Sequence, residues 1–153
     1  MVGLPGAGKT TLAKRLEAEH SALRLTPDEW MMPLFGVPEL DERRAVLEEL
    51  LWQVAARMLS LGTSVVLDFG LWGRSERDNY RARAEATGAR VELYYLEVTR
   101  EELWRRVEAR NASLPPDTFR LTLSELDECI AMFEPPTAEE LASYSLCEKA
   151  ADS

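Results

Sequence analysis

The chain has 153 residues, 46% of them hydrophobic, which suits one ordinary domain with a real core. Acidic residues outnumber basic ones by 27 to 18, and the resulting net charge of −9 opposes loose association with nucleic-acid phosphates or anionic membranes. No apolar run reaches the roughly 18 residues of a membrane span and no secretory leader pattern opens the chain, so the cytoplasm is the expected location.

The first element is a loop. Gly3-Leu4-Pro5-Gly6-Ala7-Gly8-Lys9-Thr10 satisfies G-x-x-x-x-G-K-[ST] at every fixed position, and Thr11 leads into a helix-forming run. Gly3, Gly6 and Gly8 permit backbone conformations closed to other residues, so that successive N–H groups can turn inward around phosphate oxygens. Lys9 adds a mobile positive charge, and the Thr10 hydroxyl can reach Mg²⁺. Residues 3–11 are therefore the expected site for ATP or GTP. A glycine-rich turn without a ligand is the alternative. A helix is predicted from Lys9 to His20, with Leu12 and Leu16 on its buried face. His20, the single histidine, suits the helix C-terminus as a cation.

"SALRLT" alternates as a short strand does, and "PDEWMMPLFGVPEL" reads as a short helix and a loop broken by Pro33, Gly36 and Pro38. Asp28 falls where the strand ends. In a doubly wound sheet reacting groups gather at that edge, where a carboxylate can accept the proton of an attacking hydroxyl. It can equally cap the helix, and the two roles are compatible. Trp30, Met31, Met32, Phe35 and Trp72 either wall an acceptor pocket or belong to the core. "DERRAVLEELLWQVAARMLSLG" predicts a long helix capped by Asp41, burying Leu47, Leu50, Leu51, Val54, Met58 and Leu61, and stopped by Gly62.

"TSVVLDFG" reads as a strand covered on both faces, with Asp68 at its polar end. Asp68 orders Mg²⁺, grips substrate or caps a turn. Its "DFG" is not a protein-kinase signature, because the His-Arg-Asp loop and the preceding lysine strand are missing. A basic helix, "RSERDNYRARAEATG", precedes the strand "RVELYYLEV" and the helix "TREELWRRVEARN", where Thr99 caps and Glu102 follows three residues on. Arg106 and Arg110 lie one turn apart and can face a transferred phosphate together. The other reading makes Arg105, Arg106 and Arg110 a solvated face paired with Glu102 and Glu108. Arg110, at the helix end beside a Pro-containing loop, is the preferred single choice. The last third holds one helix near Thr122 to Phe133, a Pro-Pro break and a weakly patterned tail. Cys129 and Cys147 show no C-x-x-C spacing and are read as structural thiols. Strands alternating with helices predict a three-layer α/β domain with a parallel sheet and right-handed crossovers, and the G-x-x-x-x-G-K-[ST] loop ahead of the first helix makes the expected fold that of a P-loop NTPase.

"GLPGAGKTTLAKRL", "TPDEWM", "VVLDFGLWGRSERD" and "LWRRVEARN" together resemble the small P-loop kinases that include chloramphenicol phosphotransferase, zeta-toxin-like kinases and the kinase domain of polynucleotide kinases. The resemblance implies that Asp28 is the base, that Arg106 or Arg110 stabilises phosphate, and that Pro135, Pro136 and Thr137 border the adenine. It also implies a hydrophobic strand before the loop, in the middle of the sheet. Only Met1 and Val2 stand there, so the sheet is expected to lack most of its first strand, to carry a slot in its place, and to belong to a protein that begins upstream; the alternative is that Met1 and Val2 form a shortened strand that the sheet tolerates. The expected activity is transfer of the γ-phosphate of ATP, with Mg²⁺, to a hydroxyl of a small molecule. A nucleotide-binding module that acts through a partner is the alternative. A 5′-hydroxyl polynucleotide kinase is disfavoured by the charge.

Overall fold

The computed structural model describes residues 1–36, 42–114, 120–144 and 146–151. The predicted Asp41 cap, Pro38 and the Pro-containing loop after Arg110 lie outside the described residues, as do the side chains of Met32 and Cys147. In chain order the elements are α1 (Lys9–His20), β1 (Leu23–Leu25), α2 (Pro27–Phe35), α3 (Glu42–Ser60), β2 (Val65–Leu67), α4 (Arg74–Glu85), β3 (Glu92–Glu97), α5 (Arg100–Ser113), α6 (Leu123–Met132), α7 (Ala138–Ala142) and β4 (Leu146–Ala151).

All strand pairs are parallel. β1 pairs with β2, Leu23 opposite Val65, and β3 pairs with β4, Glu92 opposite Leu146. Val2 joins the two halves by bridging Gly70 on one side and Tyr95 on the other. Its N–H donates to the Tyr94 carbonyl at 2.9 Å, and its carbonyl accepts from the Leu96 N–H at 3.0 Å. The Met1 ammonium donates to the Leu67 carbonyl at 3.0 Å, the position a strand amide would hold. The spatial order is thus β1, β2, Val2, β3, β4. Two apolar cores lie on opposite faces. Leu47, Leu51, Trp52, Phe69 and Tyr80 belong to one, and Leu12, Leu16, Leu103, Val107 and Leu126 to the other, which gives three layers.

A cavity of about 560 Å³ opens below Met1 and Val2, between the N-terminal ends of β2 and β3, and Leu16, Trp52, Ala55 and Leu59 help line it. It corrects one expectation: β2 is half-buried along its length rather than covered, because the slot runs along its edge.

α1 has the predicted bounds, and α5 is capped by Thr99, whose hydroxyl accepts from the Glu102 N–H at 3.4 Å. α6 carries a full capping box between Thr122 and Glu125. α3 departs from its predicted buried face. Leu47, Leu51, Trp52 and Ala55 are buried, whereas Leu50, Val54 and Leu61 face outward with Val46. Apolar residues cover more than half of this helix, so periodicity alone could not choose the stripe that meets the core. The tail is also more ordered than its pattern suggested, since it forms α7 and then β4. Among the described residues no helix is long and apolar enough to cross a membrane.

Candidate active site

The loop from Gly3 to Gly8 turns into α1 at the C-terminal edge of the sheet. Gly8 is the N-cap of α1 with φ of 94°, and no side chain caps that terminus, so backbone N–H groups alone present the helix dipole to the loop. Gly6 has φ of 83°, and a Cβ there would stand 3.0 Å from Val107 Cγ2 and 3.1 Å from the Leu103 carbonyl. The loop is therefore pressed against α5 at a point where only glycine fits. That packing brings Arg106 to the loop: a Cβ on Gly8 would lie 4.0 Å from Arg106 Nη1. Arg106 Nε donates to Glu102 at 2.6 Å, and Arg105 grips the same carboxylate with two bonds from an exposed position. These two arginines hold the Glu102 pKa down to about 2. Arg110 is exposed one turn further along.

Lys9 is half-buried, and its Nζ donates to the Leu4 carbonyl at 3.0 Å. Burial lowers its pKa; the charges of Asp68 and Asp28 oppose that shift and Arg44 adds to it. An ammonium held in a poorly solvated loop is relieved by an anion, which is the electrostatic demand a phosphate meets. Thr10 and Thr11 are exposed in the first turn of α1.

Asp68 is buried just beyond β2. Its N–H donates to the Leu25 carbonyl at 2.9 Å, and Oδ2 lies 3.4 Å from Arg24 Nη1. Arg24 also pairs with Glu29 and stands 3.6 Å from Glu17, and its Nε is buried without a hydrogen-bond partner. Asp28 occupies the first turn of α2, which begins at Pro27, so the residue sits inside the helix rather than ahead of it. Its side chain is 74% exposed, and Oδ1 accepts from Arg44 Nη1 at 2.7 Å. Arg44 Nε donates to Glu48 Oε1 at 2.9 Å. Burial works against the Arg44 charge, but the hydrogen bond and charge of Asp28, followed by Glu48, leave its pKa above the ordinary value. Burial raises the Glu48 pKa, and Arg44 only partly offsets it.

The proposed pocket wall divides. Met31 is fully buried core, Phe35 packs against the core beneath Arg43, Trp30 is exposed, and Trp72 stands half-buried over Gly70. The backbone after Asp68 is held by Arg77 of α4. Its Nη1 donates to the carbonyls of Leu71 at 3.1 Å and Trp72 at 2.9 Å, and its other nitrogens pair with Glu140 of α7 at 2.5 and 2.9 Å. Leu71 takes φ of 44°, rare for a bulky side chain. Thr137 caps α7, Pro136 is buried and Pro135 exposed, and this segment reaches the site through the Glu134 N–H, which donates to the Trp72 carbonyl at 3.1 Å.

Arg24, Arg44 and Glu48 were not singled out from sequence. A charged residue between two leucines in β1 was a signal for Arg24, whereas Arg44 and Glu48 look like any i,i+4 pair on an amphipathic helix.

A family model described as AAA domain matches residues 1–136. Among solved structures, Kti12 from Chaetomium thermophilum, crystallised with ADP-AlF3, superposes with a TM-score of 0.72 at 18% identity, covering 97% of this chain and 86% of that one. A gluconokinase from Sinorhizobium meliloti gives 0.66 at 19% identity, covering 99% and 81%. A sugar kinase from Janibacter gives 0.66 at 20% identity, covering 98% and 82%. No curated protein matches the chain in sequence.

Proposed function

The chain belongs to the AAA domain family, and from that premise we propose that it is an ATP-dependent phosphotransferase acting on a hydroxyl of a small molecule. The observation that carries the reading is the gathering of charged groups at the loop: Arg106 Nη1 and Lys9 Cε lie 4.0 Å from the Cβ positions of Gly8 and Gly70, and Arg44 links Asp28 to the Phe69 carbonyl beside Asp68. The kinases among the structural neighbours make the same fold familiar in this chemistry, and the acceptor is a matter for experiment.

In this reading the backbone of residues 3–8 and Lys9 hold the phosphates, and Arg106 offsets charge on the transferred group. The acceptor hydroxyl forms a bond to the γ-phosphorus as the bond to the β–γ bridging oxygen breaks. ADP leaves with that electron pair, and the hydroxyl proton passes to Asp28. Arg110 contributes only from the solvent side, and Pro135, Pro136 and Thr137 border the adenine, as the resemblance to the small P-loop kinases implies.

The Thr10 hydroxyl and the Asp68 carboxylate fit Mg²⁺, which is satisfied by one or two protein oxygens together with phosphate and water. Among the described residues no group of three or more His, Cys, Asp or Glu side chains could hold a metal ion. When bound, the ion screens phosphate charge. Asp68, which also faces Arg24, would be the carboxylate that helps to hold it.

The test is ADP release from MgATP by the purified protein, screened against sugars, nucleosides and hydroxyl-bearing antibiotics, with Lys9→Ala as the blank. The expected result is stimulation by one acceptor class, lost in the blank. Nucleotide binding without turnover for any acceptor would favour a module that signals through a partner. Equal turnover in the blank would remove the loop from the mechanism.

A further inference from the structure

Asp28 has a difficulty as a base. A carboxylate that is 74% exposed on the first turn of a helix samples several rotamers, each well hydrated, yet a base must stay within about 2.6 to 3.2 Å of the proton it takes. Arg44 meets that difficulty. It comes from a different helix, is only 17% exposed in its side chain, and binds one oxygen of Asp28, Oδ1, at 2.7 Å. Its own orientation is set behind the site by Glu48, also 17% exposed, through Nε at 2.9 Å. A longer contact of 3.5 Å runs from Nη2 to the Phe69 carbonyl, beside Asp68.

We propose that Arg44 is the positioning residue of the site: Glu48 orients Arg44, and Arg44 fixes Asp28 by one oxygen so that the other stays open to the acceptor hydroxyl. The assignment rests on the phosphotransferase reading above. The order Glu48, Arg44, Asp28 is that of a base held by an orienting partner that is itself held. α3 carries the two orienting residues one turn apart on a single face, so they move as a unit. The contribution to folding is small, because an ion pair with one exposed member adds little to stability. The fixed geometry therefore matters to the reaction more than to the fold.

The experiment uses the full chain, MgATP, and the acceptor found in the screen, or water where none is found. Arg44→Ala is expected to lower turnover about 10- to 100-fold while nucleotide affinity stays within about twofold. Arg44→Lys recovers part of the loss, and guanidinium ion added below denaturing concentration recovers part of it in Arg44→Ala. In an Asp28→Asn background, itself slowed about 100-fold, Arg44→Ala costs nothing further, since the residue it positions is gone. Turnover within about twofold of wild type for Arg44→Ala, with Asp28→Asn slow, overturns the role of Arg44 and leaves the base standing. A loss that guanidinium does not rescue, and that appears in full beside Asp28→Asn, makes Arg44 structural and also overturns it. An Asp28→Asn variant as fast as wild type, or a wild type inert with MgATP, overturns the base or the activity, and the role of Arg44 with it.

Discussion

Glu140→Gln is a severe test of the reasoning, because it changes one atom of a side chain that touches no candidate catalytic group. Glu140 and Arg77 are among the most enclosed charges in the described residues, with side chains 0% and 1% exposed, and they meet through two hydrogen bonds. Removing one member of such a pair strands the other charge in the interior at about 3 to 5 kcal/mol. Gln can still accept one bond through its oxygen, worth about 1 kcal/mol, so the net loss is about 2 to 4 kcal/mol. A domain of this size loses about 2 to 4 °C per kcal/mol, which places the fall in melting temperature near 5 to 15 °C. Urea titration of the two proteins reads the same quantity as a shifted midpoint at unchanged slope. Arg77 also holds the carbonyls of Leu71 and Trp72, so nucleotide affinity should fall with stability. A loss below about 1 kcal/mol would refute the view that this pair is closed to water. The double change Arg77→Met with Glu140→Leu should recover much of the stability without restoring the Trp72 contact.

Gly6→Ala puts a methyl group 3.0 Å from Val107 Cγ2 at a φ of 83°, so calorimetry should show nucleotide affinity reduced at least about tenfold, with about 1 to 3 kcal/mol lost in denaturation.

The loop, α1 and the caps of α5 and α6 were legible because each rests on local chemistry: glycine where φ is positive, a threonine ahead of a glutamate, leucines one turn apart. β4 was not. Its Leu-Cys-Glu-Lys-Ala-Ala has no β-branched residue and becomes a strand by pairing with β3, a contact about fifty residues away in sequence that no local pattern announces. The outward turn of Leu50 and Val54 was hidden for a related reason, since which stripe of an apolar helix meets the sheet depends on what lies opposite. At the site, Asp28 and Asp68 were legible from their place at strand ends. Arg44 was not, because it lies on a different helix from Asp28, 16 residues on, and no local pattern pairs the two.

Val2 closes the sheet and stands immediately before the first residue of the loop. The peptide that keeps the β1–β2 half in register with the β3–β4 half is therefore continuous with the peptide that would wrap a phosphate. A ligand gripping residues 3–9 tightens the seam, and a seam that parts empties the loop. Such linkage is reciprocal: whatever free energy a nucleotide gains from an intact sheet, the sheet gains from the nucleotide. A bound phosphate would then serve as a rivet in the architecture, and occupancy and cooperativity become two readings of one equilibrium.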